Sequence, residues 1–149
     1  SLDGVTVLLT EDNALNMEIA QFFLQDAGAS IIQAWNGQQA LDIFQSSRPG
    51  EIDVILMDVM MPVMNGLEAT RRIRNGENPL GRIIPILAMT ANAFLEDMQK
   101  SREAGMDEHL SKPVDIAALE QTVKRFRVTP PPKINSGQAR FRRGSTQMM

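Results

Sequence analysis

The stretch Val54-Ile55-Leu56-Met57-Asp58 decides the fold, because four consecutive apolar residues run directly into a carboxylate. Apolar residues without polar alternation are typical of a strand covered on both faces, as in a parallel sheet. The run is too short for a helix before Asp58 and the Met-Met-Pro segment that ends at Pro62. The stretch therefore predicts a buried central strand that ends on an acidic residue.

Four other short apolar runs extend this pattern along the chain. They predict strands over Thr6–Leu9, Ser30–Gln33, Pro85–Met89 and His109–Ser111. Between the strands, apolar residues at helical spacing predict a first helix through Ile19, Ala20, Phe23, Leu24 and Ala27. Further helices are predicted over Gln38–Gln45, Gly66–Arg74 and Ala93–Ala104. The last helix is predicted to start at Asp115 and to bury Ile116, Leu119, Val123 and Phe126. Five alternations of strand and helix predict one doubly wound α/β domain with a five-stranded parallel sheet.

Composition narrows the class of protein. The 149 residues include 43% hydrophobic and 22% charged residues and no cysteine, which excludes disulfides, thiolate metal sites and a cysteine nucleophile. The apolar runs are short and no signal peptide opens the chain, so we expect a cytoplasmic protein without membrane contact. Residues 1–126 hold ten basic and 18 acidic residues, a net charge of −8, which argues against nucleic-acid binding by the domain itself.

Three segments are expected. Residues 1–4, which start without methionine, are interpreted as an expression remnant or a linker. Residues 5–127 form the domain. Residues 128–149 include three consecutive prolines and basic residues but no acid, and are expected to form a flexible tail.

Polar residues follow four of the five predicted strands. Glu11 and Asp12 follow the first, Asp58 the third, Thr90 the fourth and Lys112 the fifth. Ligands of open α/β sheets bind at the carboxyl ends of the strands, so we expect these side chains to meet at one edge.

Three neighbouring carboxylates repel one another unless a cation lies among them. Oxygen ligands of this kind suit Mg²⁺, with Mn²⁺ as an alternative. One carboxylate can then act as a nucleophile toward a phosphoryl group, and Asp58 is the natural candidate because it ends the central strand. Lys112 and Thr90 would stabilise the charge on the transferring oxygens.

The segments Val7–Asn13, Leu56–Pro62, Asn65-Gly66 and Leu110–Pro113 resemble the receiver domains of response regulators in two-component systems. The resemblance implies a flavodoxin-like strand order of 2-1-3-4-5. It also implies that Glu11, Asp12, Asp58 and the Met60 backbone carbonyl hold a metal, and that Asp58 is phosphorylated. Thr90 and Lys112 would stabilise the phosphoryl group. Thr90 and His109 would form a switch, and the peptide bond before Pro113 would be cis.

Asn13, Asn16, Thr90–Ala93 and Gly105–Glu108 are similar to receivers of hybrid sensor histidine kinases. This similarity implies a place in a His-to-Asp phosphorelay. The partners would be the phosphodonor domain of a sensor histidine kinase and a histidine phosphotransfer domain. We expect the first helix to dock them through exposed residues such as Leu15 or Phe22. The domain would assist its own phosphorylation and dephosphorylation without turning over an external substrate.

Other functions are compatible with parts of the pattern. A stand-alone response regulator would carry the same motifs, and a contact module could use the fold without phosphorylation. A flavin-binding protein would need a phosphate-cradling loop where Glu11-Asp12 stands. A phosphatase working through an aspartyl phosphate would need a general acid at Met60.

Overall fold

The protein is described from a computed structural model, and the description covers residues 1–61, 63–90 and 98–126. Five parallel strands form one sheet in the order β2-β1-β3-β4-β5. The strands are β1 (Thr6–Thr10), β2 (Ser30–Ala34), β3 (Val54–Asp58), β4 (Ile86–Thr90) and β5 (Glu108–Ser111). The predicted fold class and strand order are confirmed.

Within the described residues, five α-helices connect and follow the strands. They are α1 (Ala14–Asp26), α2 (Gly37–Ser46), α3 (Gly66–Arg74), α4 (Met98–Ala104) and α5 (Ile116–Phe126), with a short 3₁₀ helix at Pro79–Arg82. The first part of the helix predicted over Ala93–Ala104 lies outside the described residues, as does the tail 128–149. Among the described helices, none combines the length and the apolar character needed to cross a bilayer.

Strand β3 is buried along its whole length because helices cover both faces of the sheet. Ile55 and Met57 pack in the cluster that includes Phe44 of α2 and Ile73 of α3. Val54 and Leu56 point the other way, into the cluster that includes Leu24 of α1 and Leu119 of α5. Alternate residues of one strand thus serve two apolar cores, which explains its continuous apolar sequence.

Asparagine side chains start the three helices that follow β1, β2 and β3. Asn13, Asn36 and Asn65 each accept a hydrogen bond of 2.9 Å from the backbone N–H three residues later. An N-cap of this kind satisfies a helix donor that would otherwise have no partner. The caps therefore fix the points where α1, α2 and α3 begin at the carboxyl edge of the sheet.

Helix α1 buries only some of the apolar residues in its sequence. Its buried residues are Met17 and Leu24, while Ile19 and Phe23 are 39% and 46% exposed. The helix carries apolar residues on more than one side, so helical spacing alone did not identify the side that faces the sheet.

The N-terminal residues pack as part of the domain. Leu2 is only 1% exposed and lies in the same cluster as Leu24. Its N–H donates to the Ala27 carbonyl at 2.8 Å, at the end of α1. Leu2 therefore packs with the domain, although a four-residue segment has no periodicity that would reveal it, and the interpretation of residues 1–4 as an expression remnant or a linker stays a prediction.

We predict that Leu2→Ala lowers the free energy of unfolding by about 2–4 kcal/mol, because it leaves a cavity between the sheet and its helices. Leu15→Ala is the matched control, since Leu15 is 63% exposed, and its effect should stay within about 0.5 kcal/mol. Urea unfolding measures both. Equal effects of the two changes would contradict the burial of Leu2.

Candidate phosphoacceptor and metal site

Six of the predicted site residues line one cleft at the carboxyl edge of the sheet. Asp58 and Thr90 are the last residues of β3 and β4, and Met60 lies in the segment after β3. The other three, Glu11, Asp12 and Lys112, directly follow β1 and β5. The cleft has a volume of about 270 Å³ and is lined by Glu11, Asp12, Asn13, Asn16, Asp58, Val59, Met60, Met89, Thr90 and Lys112. Because the strands are parallel, residues distant in sequence converge here, as the sequence predicted.

The three acids form a compact cluster of oxygen atoms. One carboxylate oxygen from each of Glu11, Asp12 and Asp58 lies within 4.8 Å of the other two. Glu11 and Asp58 are 2% and 5% exposed, whereas Asp12 is exposed at the mouth of the cleft. Such a cluster offers hard oxygen ligands to a divalent cation.

Lys112 neutralises only part of this charge. Its Nζ donates to Asp58 Oδ2 at 2.8 Å and forms an ion pair with Glu11 Oε1, also at 2.8 Å. Its backbone N–H donates to the Thr90 carbonyl at 2.9 Å, and the peptide bond to Pro113 is cis. One ammonium among three carboxylates leaves a formal charge of −2, which matches the charge of one divalent cation.

The environment of Lys112 changes its pKa in two opposing ways. Partial burial disfavours the charged ammonium, but hydrogen bonds to Asp58 and Glu11 and attraction to both carboxylates outweigh it and raise the pKa. Lys112 therefore stays protonated at neutral pH. Its stabilising contribution is complete below the ordinary lysine pKa of about 10.4 and is lost as the pH rises through the higher value of the folded state.

The remaining carboxylate oxygens of the buried pair are held by backbone donors. Asp58 Oδ1 accepts from the Met60 N–H at 3.1 Å, and Glu11 Oε2 accepts from the Asn13 N–H at 3.2 Å. Both oxygens of each carboxylate are thus oriented before any ligand binds. This preorganisation suits a nucleophile that must present one oxygen to an electrophile.

Thr90 and His109 lie on the same face of the sheet. Thr90 is 2% exposed and lines the cleft, while His109 pairs in register with Ala88, two residues before Thr90. Side chains alternate along a strand, so Ala88, Thr90 and His109 point to one side. His109 is half-buried, and neither His109 nor Pro113 is among the residues that line the cleft.

The direct pairing of Lys112 with Glu11 was not predicted. The sequence interpretation assigned Glu11 to a metal and Lys112 to a phosphoryl group. Both residues follow strands, and that was the available signal, but the contact depends on side-chain reach that strand order does not specify.

Comparison with known proteins defines the class. Residues 7–124 match the model of the response regulator receiver domain, so the chain belongs to this family. The aerobic respiration control sensor protein ArcB of Escherichia coli is 39% identical over 125 residues, which are 84% of this chain but 15% of ArcB. The chain thus spans about one seventh of the length of that relative.

Two solved structures extend the comparison. The receiver domain of the sensor histidine kinase PA1611 from Pseudomonas aeruginosa, with a magnesium ion in its active-site cleft, is 38% identical with a TM-score of 0.73 over 83% of this chain and 97% of that one. The receiver domain of Ssk1 from Saccharomyces cerevisiae, crystallised with the histidine phosphotransfer protein Ypd1, gives 29% identity and a TM-score of 0.67 over 82% of this chain and 88% of that chain.

We predict that Lys112→Met lowers the free energy of unfolding by about 2–4 kcal/mol at pH 7, because two buried carboxylates lose their cation. Asp58→Asn should be more favourable for stability in that background than in the wild type, since it removes one of the two uncompensated charges. Urea unfolding of the four proteins gives the coupling energy. The wild type should also lose stability above about pH 10.4 in a step that Lys112→Met lacks. An identical effect of Asp58→Asn in both backgrounds would contradict the pairing.

Proposed function

We propose that this chain accepts a phosphoryl group on Asp58 from a phosphohistidine and relays it within a two-component phosphorelay. The observation that carries the proposal is the Lys112 ammonium, 2.8 Å from the carboxylate of Asp58 at the buried end of β3. A cation beside a buried carboxylate stabilises negative charge on a group attached there. Membership of the receiver family supports the same conclusion.

Glu11, Asp12 and Asp58, with the Met60 backbone carbonyl, would hold Mg²⁺ or, alternatively, Mn²⁺. The fit rests on the three clustered carboxylate oxygens and on the net charge that Lys112 leaves uncompensated. The magnesium ion described for the receiver of PA1611 supports this choice. When bound, the ion would neutralise charge on the transferring phosphoryl oxygens.

The chain's own residues supply the remaining chemistry. A carboxylate oxygen of Asp58 attacks phosphorus, a new O–P bond forms, and the P–N bond breaks with its electron pair left on the imidazole of the donor. The Lys112 ammonium, already at Asp58, then pairs with a phosphoryl oxygen, and the Thr90 hydroxyl donates to another. Phosphorylation would thereby change the contacts of Thr90 on the face of the sheet where His109 lies.

The 40% identity over 119 residues to hybrid signal transduction histidine kinase I of Dictyostelium discoideum supports a hybrid sensor histidine kinase as the parent protein. In that setting the phosphodonor is a kinase domain, a histidine phosphotransfer domain is a second partner, and the domain acts in the cytoplasm. The acidic charge of residues 1–126 supports a role without nucleic-acid or membrane contact.

Acetyl phosphate tests the phosphoacceptor proposal without a protein donor. We expect one phosphoryl group to be added, measured by intact mass, only in the presence of Mg²⁺ and not in Asp58→Asn. Hydroxylamine should remove it, as expected for an acyl phosphate. Phosphorylation of Asp58→Asn at an equal level would contradict the assignment. If the wild type neither becomes phosphorylated nor binds beryllofluoride, the phosphoacceptor proposal is contradicted, and the alternative of a contact module without phosphorylation remains.

Helix α1 supports the partner proposal. Its outward side exposes Leu15 and Phe22, each at 63%, together with Ile19 and Phe23. Asn16 from this helix lines the cleft beside Asp58, so the exposed side is continuous with the approach to the site. An apolar helix face of this kind fits a helical partner.

We predict that Phe22→Ala lowers kcat/KM for phosphoryl transfer from phosphorylated Ypd1 by about fivefold or more. Phosphorylation by acetyl phosphate should be unchanged, since a small donor makes no contact with α1. Ile83→Ala is the control, because Ile83 is 73% exposed and precedes β4 at the opposite edge of the sheet. If Phe22→Ala and Ile83→Ala have the same effect on transfer, α1 is not the docking surface.

A further inference from the structure

The thioether of Met60 is accessible to solvent beside the acid cluster. Met60 is 73% exposed and lines the cleft together with Asp58 and Lys112. Its backbone N–H donates to Asp58 Oδ1 at 3.1 Å, which fixes the Met60 backbone next to the acceptor carboxylate. An exposed sulfur side chain therefore borders a cleft whose polar side chains carry oxygen and nitrogen atoms.

Exposure separates Met60 from the other methionines. In the part of the chain that the structure describes, Met60 alone among the methionines is exposed, and Met61 and Met98 are half-buried. The remaining described methionines are at most 9% exposed: Met17, Met57, Met64, Met89 and Met106. The chain has no cysteine, so no thiol competes for an oxidant. Because oxidation of sulfur side chains follows their exposure, a peroxide that enters solvent around this domain reaches Met60 first among the described methionines.

Oxidation by a hydroperoxide changes what Met60 offers to the cleft. A lone pair of the sulfur attacks the terminal oxygen of the hydroperoxide, an S–O bond forms and the O–O bond breaks. The leaving oxygen keeps the electron pair and takes up the proton of the transferred oxygen, so hydrogen peroxide is reduced to water while the thioether is oxidised to a sulfoxide. A thioether is a weak hydrogen-bond acceptor, whereas the sulfoxide is polar and carries an acceptor oxygen.

The acid cluster is the part of the cleft that would respond to a new acceptor. One oxygen of Asp58 and one of Glu11 are held by Lys112 at 2.8 Å. Their other oxygens accept from the backbone N–H groups of Met60 and Asn13. Mg²⁺ usually keeps several of its waters when it binds to a protein, and hydrogen-bond partners around a metal tune its affinity. An added acceptor beside the cluster therefore gives a metal-bound water a further partner.

We propose that Met60 is a site of reversible oxidation by hydroperoxides, and that its sulfoxide oxygen accepts a hydrogen bond from a water of bound Mg²⁺ and thereby raises the affinity of the acid cluster for the ion. Since phosphorylation of Asp58 would require Mg²⁺, the oxidised domain would accept a phosphoryl group at a lower Mg²⁺ concentration. The inference rests on the proposed function and adds a means of regulating it. The Met60 side chain acts on the metal through water, separately from the backbone carbonyl of the same residue.

Hydrogen peroxide is the probe, and the first two measurements are the site of oxidation and the Kd for Mg²⁺. Peptide mass mapping after mild treatment of the full chain should find one added oxygen on Met60 before any other described methionine. The Kd for Mg²⁺, followed by the NMR shifts of the Asp12 and Lys112 amides, should fall about threefold on oxidation. Treatment with methionine sulfoxide reductases A and B should restore the original Kd.

Three variants assign the effect to one side chain, and each is compared with and without peroxide. Met60→Leu should show no response of its Kd, because leucine has no sulfur to oxidise. Met61→Leu is the matched control and should keep the threefold fall. Met60→Gln presents an amide oxygen on a side chain of similar length, so it should have a lower Kd than Met60→Leu without any oxidant. Phosphorylation of the wild type by acetyl phosphate should become faster on oxidation at limiting Mg²⁺ and show no difference at saturating Mg²⁺.

The remaining outcomes separate this inference from the proposed function. Oxidation of a half-buried methionine ahead of Met60, or an unchanged Kd with Met60 fully oxidised, would overturn the inference. An equal peroxide response in Met60→Leu would overturn it as well, because the responsible group would lie elsewhere. A Kd that responds to oxidation in a protein that acetyl phosphate does not phosphorylate would support the oxidation site and contradict the phosphoacceptor function. A wild type that binds no Mg²⁺ would overturn both.

Discussion

The ion pair between Lys112 and the buried carboxylates of Glu11 and Asp58 is the interaction on which the site depends. At 2.8 Å from both acids, the ammonium compensates charges that the end of a parallel sheet would otherwise leave buried and repelling. It also joins three strands, because Glu11 follows β1, Asp58 ends β3 and Lys112 follows β5. The same ion pair therefore holds the carboxylates of the cleft in place and links the ends of three strands.

The ammonium of Lys112 compensates only part of the carboxylate charge in the cleft, and the remaining charge affects metal binding. A second lysine in the cluster would neutralise the carboxylates further and remove the reason for a divalent cation to bind. With one ammonium and three carboxylates, Asp12 remains exposed at the cleft mouth and available to an ion. In the proposed function, the same balance would let Lys112 move its hydrogen bond from Asp58 to a phosphoryl group, because Glu11 would still hold the ammonium.

The sequence predicted most of the fold because its signals are local. The apolar run Val54–Met57 indicates a strand buried on both faces, and the order of strands and helices leaves few topologies. The convergence of Asp58, Thr90 and Lys112 follows from the rule that parallel strands end at one edge. These predictions did not need the detailed packing of any side chain.

The features that the sequence did not predict depend on packing and on backbone angles. Helix α1 has apolar residues on several sides, so its pattern did not show that Phe23 faces outward while Met17 is buried. Leu2 lies in a segment too short to show periodicity, and its burial becomes visible only with the contact to Ala27. The positive φ angle of Val63 has no signal at all, because valine is among the residues least expected there.

Chemistry and partner recognition place different demands on the residues around the cleft. Carboxylates and a lysine at strand ends define chemistry that any phosphodonor can use, including a small molecule. Recognition of a protein donor needs exposed apolar groups around the cleft, and these are stable in water only when the rest of the domain holds them in place. Buried residues such as Leu24 anchor α1, and hydrogen bonds to Met64 and Val59 anchor the loop after Asp58. In the proposed function, charge at the centre of the cleft serves phosphoryl transfer and apolar surface at its margin serves recognition, and both are positioned by the parallel sheet.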